Sequence, residues 1–138
     1  MKTFSPKSAD TSRTWHLFDA KDQVLGRLAT RVAVVLMGKH KTTFARHLDQ
    51  GDHVVIINAS KVAITGRKAD QKIYHRHSGY PGGMTVTTYA QAMAKNPSAI
   101  ITHAVSGMLP DNKLKNPMLR HLHIYSDETH PYAKQFAN

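Results

Sequence analysis

The sequence predicts an α/β fold built on a mainly parallel sheet with helices on both faces. One observation behind this is a helical apolar stripe, Leu25, Leu28, Ala29, Val32, Val35 and Leu36, standing between two extended segments. A second is the continuous, β-branched run over 53–58, the pattern of a strand covered on both sides as in parallel sheets. The third is the order strand, helix, strand, strand, helix, helix, strand along 138 residues, a length that suits one domain with its own core.

Residues 1–14, with Ser5, Pro6, Ser8 and Ser12, read as a flexible arm, 15–126 as the domain and 127–138 as a polar, flexible tail. A strand over 15–20 enters the first helix through a turn at 19–24, and Gly38 is positioned to stop that helix. Beyond the 53–58 strand, 61–65 reads as another strand, ended by Gly66. Residues 72–77 read as extended and polar, and Gly79, Pro81, Gly82 and Gly83 require a loop. Thr88 with Gln91 resembles a capping box for a helix ending near Lys95, and Asn96 with Pro97 caps and opens the next. That helix carries the stripe Ile100, Ile101, Ala104, Val105, Met108 and Leu109, and Pro110 ends it. A short helix over 117–121 and a last strand over 122–125 complete the domain.

The chain holds 19 Lys plus Arg against 9 Asp plus Glu, a formal charge of +10 and a pI near 10.0. At this size such an excess points to a polyanionic partner, nucleic acid first. A membrane surface would ask for a helix whose polar face is rich in cations, and the first helix offers only Arg27 and Arg31. The longest apolar stretch, 32–37, is far too short to span a bilayer, and the start of the chain has no run of signal-peptide length. With no cysteine, disulfides and thiolate metal sites are excluded. A soluble, intracellular protein is expected, with no membrane partner, small-molecule substrate or cofactor.

Two basic segments stand out. Gly38-Lys39-His40-Lys41 follows a helix, where cations are favoured by the dipole and free to meet phosphates; a solvated C-cap is the plainer alternative. The second runs Lys61, Arg67, Lys68, Lys72, Arg76, opposed only by Asp70, and ends in Tyr74-His75-Arg76-His77-Ser78-Gly79-Tyr80-Pro81-Gly82-Gly83. Arg pairs bidentately with phosphate, Tyr and His stack on unpaired bases, and Gly lets backbone amides approach RNA closely. A charged edge strand and an ordinary glycine turn form the alternative here. His75 with His77, and His121 with His123, share strand faces, but zinc wants three or four converging ligands and no metal site is expected. No Walker loop, G-x-G-x-x-G, H-E-x-x-H or G-x-S-x-G occurs. A nuclease built from His75, His77, Asp49 or Asp52 has no spacing that pairs its parts, so no enzyme is expected.

The segments Leu25-Gly26-Arg27-Leu28-Ala29-Thr30, Gly38-Lys39-His40-Lys41 and Gly51-Asp52 through Val55-Ile56-Ile57-Asn58-Ala59 follow in order along the chain. So do Arg76-His77-Ser78-Gly79-Tyr80-Pro81-Gly82-Gly83, Gly107-Met108-Leu109-Pro110 and His130-Pro131. In order and spacing this series resembles the bacterial large-subunit ribosomal protein L-thirteen family over nearly the whole chain. The resemblance implies a three-layer α/β/α fold and a place in the cytoplasmic ribosome. It also implies contact with large-subunit rRNA and neighbouring ribosomal proteins, and a role early in assembly; messenger RNA is a further candidate partner. Residue by residue it assigns rRNA contact to Lys39, His40, Lys41, Arg67, Lys68, Tyr74, Arg76, His77 and Tyr80, with Lys113, Lys115 and Arg120 behind them. The chain departs from the family pattern at Met37, Asp111, Lys115-Asn116-Pro117 and Tyr132.

Overall fold

A computed structural model describes residues 4–137; residues 1–3 of the expected arm and residue 138 of the tail lie outside the described residues. The central sheet is parallel. β1 (Trp15–Asp19) pairs with β2 (His53–Ile57), Trp15 opposite His53, and β2 pairs with β5 (Leu122–Ile124), Val55 opposite His123. The order β1-β2-β5 puts the strand with the apolar run Val54 to Ile57 in the middle, so Val54, Val55 and Ile56 are fully buried.

α1 (Leu25–Met37) buries the predicted stripe and is capped by Gly38 in the left-handed conformation, where Gly38 N–H donates to the Val35 carbonyl at 3.1 Å. α3 (Tyr89–Lys95) has the predicted capping box, the Gln91 N–H donating to Thr88 Oγ1 while Gln91 Oε1 accepts from the Thr88 N–H. α4 (Pro97–Met108) opens on its proline and buries Ile100, Ile101 and Val105, and α5 (Lys115–Arg120) buries Met118. These join Val54 and Ile56 in one core with Phe18, Leu122 and Ile124 at its margin, so α1 and α4 share one side of the sheet. No helix among the described residues is long and apolar enough to cross a membrane.

The structure departs from the expectations in four places. Residues 61–65 form no strand. Asn58, at φ 56°, turns the chain out of the sheet into a 3-10 turn (Ala59–Lys61), and the next residues bond the entrance of α1 instead. There Ala63 N–H donates to the Gln23 carbonyl and Leu25 N–H to the Ala63 carbonyl, both at 2.9 Å. Besides 3-10 turns in the arm (Ser8–Asp10) and tail (Ala133–Gln135), the domain has two unforeseen elements: a one-turn α2 (Lys68–Gln71), and β4 (Met84–Thr88), which pairs antiparallel with β3 (Ile73–His77) as a separate hairpin. The short helix before β5 begins and ends slightly earlier than 117–121.

The fourth departure is the second side of the sheet, where a helix was expected. Trp15 stacks on His53 with centroids 4.3 Å apart, Tyr132 lies 4.8 Å from Trp15 and 4.6 Å from His123, and Phe136 meets Trp15 edge-on. The tail, expected to be flexible, therefore runs back over the sheet on aromatic anchors.

Candidate nucleic-acid interface

The two basic segments lie near opposite ends of α1, Gly38-to-Lys41 following its last turn and Lys68 and Lys72 standing beside Val24, Leu25 and Gly26 at its first. Beyond the α1 cap the chain must turn sharply to reach β2, and Gly51 backs directly onto Leu36, a Cβ there falling 1.8 Å from the Leu36 carbonyl oxygen. The turn carries Asp52 to the mouth of β2 with no solvent exposure. A buried carboxylate needs partners. Thr14 N–H (3.1 Å) and the Lys41 ammonium (2.5 Å) donate to Oδ1, while Thr14 Oγ1 (2.8 Å), His16 Nε2 (2.9 Å) and His40 Nε2 (2.9 Å) donate to Oδ2. Burial opposes ionisation of Asp52, but Lys41, the Thr14 N–H, His16 and the Thr14 hydroxyl outweigh it and hold the carboxyl well below the usual range.

Lys41 also donates to the carbonyls of Ser12 (2.6 Å) and Gln50 (2.9 Å), so it is turned inward and ties the arm to the loop. Beside it Arg13 donates to the Gly51 carbonyl (2.9 Å) and pairs with Asp49, which also takes His121. Of the side chains in the Gly38-to-Lys41 motif, then, only Lys39 has no partner among the described residues, and it stands exposed next to Arg46 in a cleft walled by Phe44, Pro110 and Asn112. His16, His40 and Asp52 bring ligand atoms within 4.8 Å of one another. Lys41 already supplies the positive charge a metal would bring, and the trio works as a hydrogen-bonded node.

The second segment is arranged the opposite way. Arg67, Lys68, Arg76 and His77 are all exposed, and none of them has an acidic partner among the described residues. At the hairpin tip Gly83 N–H donates to the Tyr80 carbonyl (2.9 Å), with Pro81 and then Gly82 at φ 72° between them, the requirement of a type II turn. His77 Nδ1 accepts from the Gly79 N–H (2.9 Å), and Tyr80 is held out at 76 % exposure. Tyr74 instead points back, half-buried, with the Lys72 ammonium 5.3 Å over its ring and His103 edge-on at 5.2 Å.

In the C-terminal block Lys113 and Arg120 are exposed, while Lys115 bonds Asp111 at 2.6 Å one helical turn away. The nuclease alternative has no geometry, since Asp49 and Asp52 find Arg13, His121, Thr14, His16, His40 and Lys41 rather than His75 or His77. Sequence reasoning passed over Arg46 beside Lys39, and Lys95, which ends α3 next to Arg76. The signal for Lys95 was its position in the last turn of a capped helix.

Comparison with known proteins agrees with the motif series. The family model described as "Ribosomal protein L13" matches residues 13–131. A "Large ribosomal subunit protein uL13" of Beutenbergia cavernae is 51 % identical over 135 residues, spanning 98 % of this chain and 92 % of the relative. The proteins of that name from Thermobifida fusca and Arthrobacter sp. are each 52 % identical over 135 residues, covering 98 % of this chain and 91 % and 92 % of theirs. With the motifs in order and the match running almost end to end, the chain belongs to the ribosomal protein L13 family.

Proposed function

We propose that the protein is a structural constituent of the large ribosomal subunit in the cytoplasm, not an enzyme, that binds large-subunit rRNA and acts early in subunit assembly. The observation that carries this is the uncompensated row Arg67, Lys68, Arg76 and His77 leading to an outward Tyr80 on a turn fixed by Pro81 and Gly82, in a chain of the L13 family. Phosphate neutralisation supplies most of the affinity of such a surface, and the fit of a rigid body to folded RNA supplies selectivity. Lys39, Lys113 and Arg120 form the second contact. His40 and Lys41 serve RNA indirectly, by fixing the loop that carries Lys39, and Lys115 is half-spent on Asp111. Neighbouring ribosomal proteins are the other partners, and nothing in these surfaces favours a messenger RNA. In the body (15–126) α1 and α4 cover one side of the sheet, and the tail (127–138), not a second helical layer, covers the other.

The test is whether tagged protein expressed in a bacterium co-sediments with large subunits through a high-salt sucrose gradient. Stoichiometric retention is expected; protein left at the top of the gradient at moderate salt overturns the reading. Cells depleted of the protein should accumulate incomplete large subunits.

A further inference from the structure

We propose that the cleft between the β3–β4 hairpin and helices α3 and α4 receives a single unstacked nucleotide of the bound RNA. This rests on the RNA-binding reading above and gives it a specific pocket. The hairpin has no strand neighbour beyond its own two strands, and its inner face leans on the helices, leaving an open cavity of about 380 Å³. That is at the small end of ligand clefts, roughly 300–1,000 Å³, and far too narrow for a duplex.

The lining has the chemistry of one nucleotide. Asn96, the N-cap of α4, and the helix positions Ala99, Ile100 and His103 together line the cavity from one side. Ala99 and Ile100 give it an apolar floor, and the Tyr74 and His103 rings give it aromatic walls set at 82° to each other. Base faces are recognised on such surfaces whatever the base. The Asn96 Oδ1 accepts from the Ser98 hydroxyl at 2.5 Å, which leaves its amide N–H groups to donate to a base edge. Arg76 from β3 and Lys95 from α3 stand at the rim, and no acidic residue lines the cleft, so the rim is complementary to a phosphate. An apolar peptide segment would satisfy the floor and leave both rim cations unpaired.

The experiment uses the full chain and a single-stranded oligoribonucleotide carrying one 2-aminopurine, whose fluorescence falls when the base stacks on a ring. The wild-type protein should quench it, and the same label in an RNA duplex should not respond. Ala99→Trp, which fills the cleft from an exposed position, and Lys95→Glu, which reverses a rim charge, should each weaken the response about tenfold, within the range for loss of one stacked base. Thermal melts of both variants separate a filled cleft from a lost fold. Equal quenching by wild type and a folded Lys95→Glu, equal response of duplex and single strand, or no quenching at all would overturn the pocket. If quenching is absent while the protein still co-sediments with large subunits, only the pocket fails; if co-sedimentation fails too, so does the functional reading itself.

Discussion

The loop that follows α1 and the β3–β4 hairpin are written in the same kinds of residue, a basic side chain with His and Gly, yet they use them in opposite directions. In the loop Lys41, His40 and His16 turn inward onto a carboxylate without solvent exposure, and the chain around them is fixed. In the hairpin Arg76, His77 and Tyr80 are exposed, and only backbone turns and the Gly79 N–H donated to His77 Nδ1 hold them. The difference comes from one neighbour. Asp52 stands at the start of a central strand where water is excluded, so it recruits every nearby donor, whereas the hairpin has no acid to recruit any. Counting basic residues in a motif therefore overstates the surface it offers to RNA.

Breaking the node should have the largest effect. Asp52→Ala leaves the Lys41 charge and the Thr14, His16 and His40 donors without their acceptor. It should cost about 3–5 kcal/mol of stability, the range for removing one partner of a buried pair. Chemical denaturation would read this as a fall in midpoint at constant slope, and a loss under 1 kcal/mol would refute the inward reading of the loop. Next comes Gly51→Ala, whose new methyl meets the Leu36 carbonyl at 1.8 Å and must push the backbone apart, at roughly 1–3 kcal/mol or more. The matching change in the hairpin, Gly82→Ala, meets nothing within 4 Å and bears only the left-handed strain of φ 72°, about 1 kcal/mol.

How legible these two regions were in the sequence follows the same division. α1, α3 and α4 were readable because stripes and caps are local: Leu25 to Leu36, Thr88 with Gln91, and Asn96-Pro97 each lie within a few turns. β4 was not, because Met84 and Val86 face solvent and no buried alternation marks the strand. Residues 61–65 have strand composition, but Val62 is buried against the core while Ala63 pairs with the α1 entrance, a preference that depends on tertiary position. The outward half of the interface could be read from Arg76 to Gly83. The node could not, since it joins residues 12–16 to 40–52 and exists only because β1 and β2 pair in parallel. One clue was present: an aspartate at the mouth of a strand as apolar as Val54 to Ile57 needs a partner from elsewhere. Likewise Tyr132 and Phe136 were the aromatic signal that the polar tail is anchored.

Acid should separate the regions by a smaller amount. Burial lowers the pKa of His53, helped by His121, Arg13 and His123, and burial with His121 lowers that of His123. Both rings are thus neutral in the folded state and charge more readily when unfolded. Their contribution is present above pH 6.5 and is lost as pH falls below it toward their folded values. Asp52, held low, contributes above pH 3.8 and loses that contribution as pH falls further. Stability should therefore drop in two stages on acidification. His123→Phe, which keeps a ring under Tyr132, should diminish the upper stage alone, visible as a flatter midpoint against pH between 7 and 5 in urea unfolding; an unchanged curve would mean the histidine stack does not set it.

The smallest change in stability, and the one that tests function most directly, is at the hairpin. Arg76→Gln lies on an exposed strand without an internal partner, so unfolding should move by under about 0.5 kcal/mol. Affinity for large-subunit rRNA should nevertheless fall, and the slope of log K against log salt should shrink by about 0.7–0.9 for the phosphate contact removed. Lys41→Gln should do the reverse. It loosens the fold by removing the node's cation, but the protein that remains folded should keep its slope, because the Lys41 ammonium is already spent on Asp52, Ser12 and Gln50. If both variants lose the same slope, Lys41 swings out to meet RNA and the loop is a second outward surface; if only Arg76→Gln does, side chains of like charge have been sorted by one buried carboxylate into scaffold and contact.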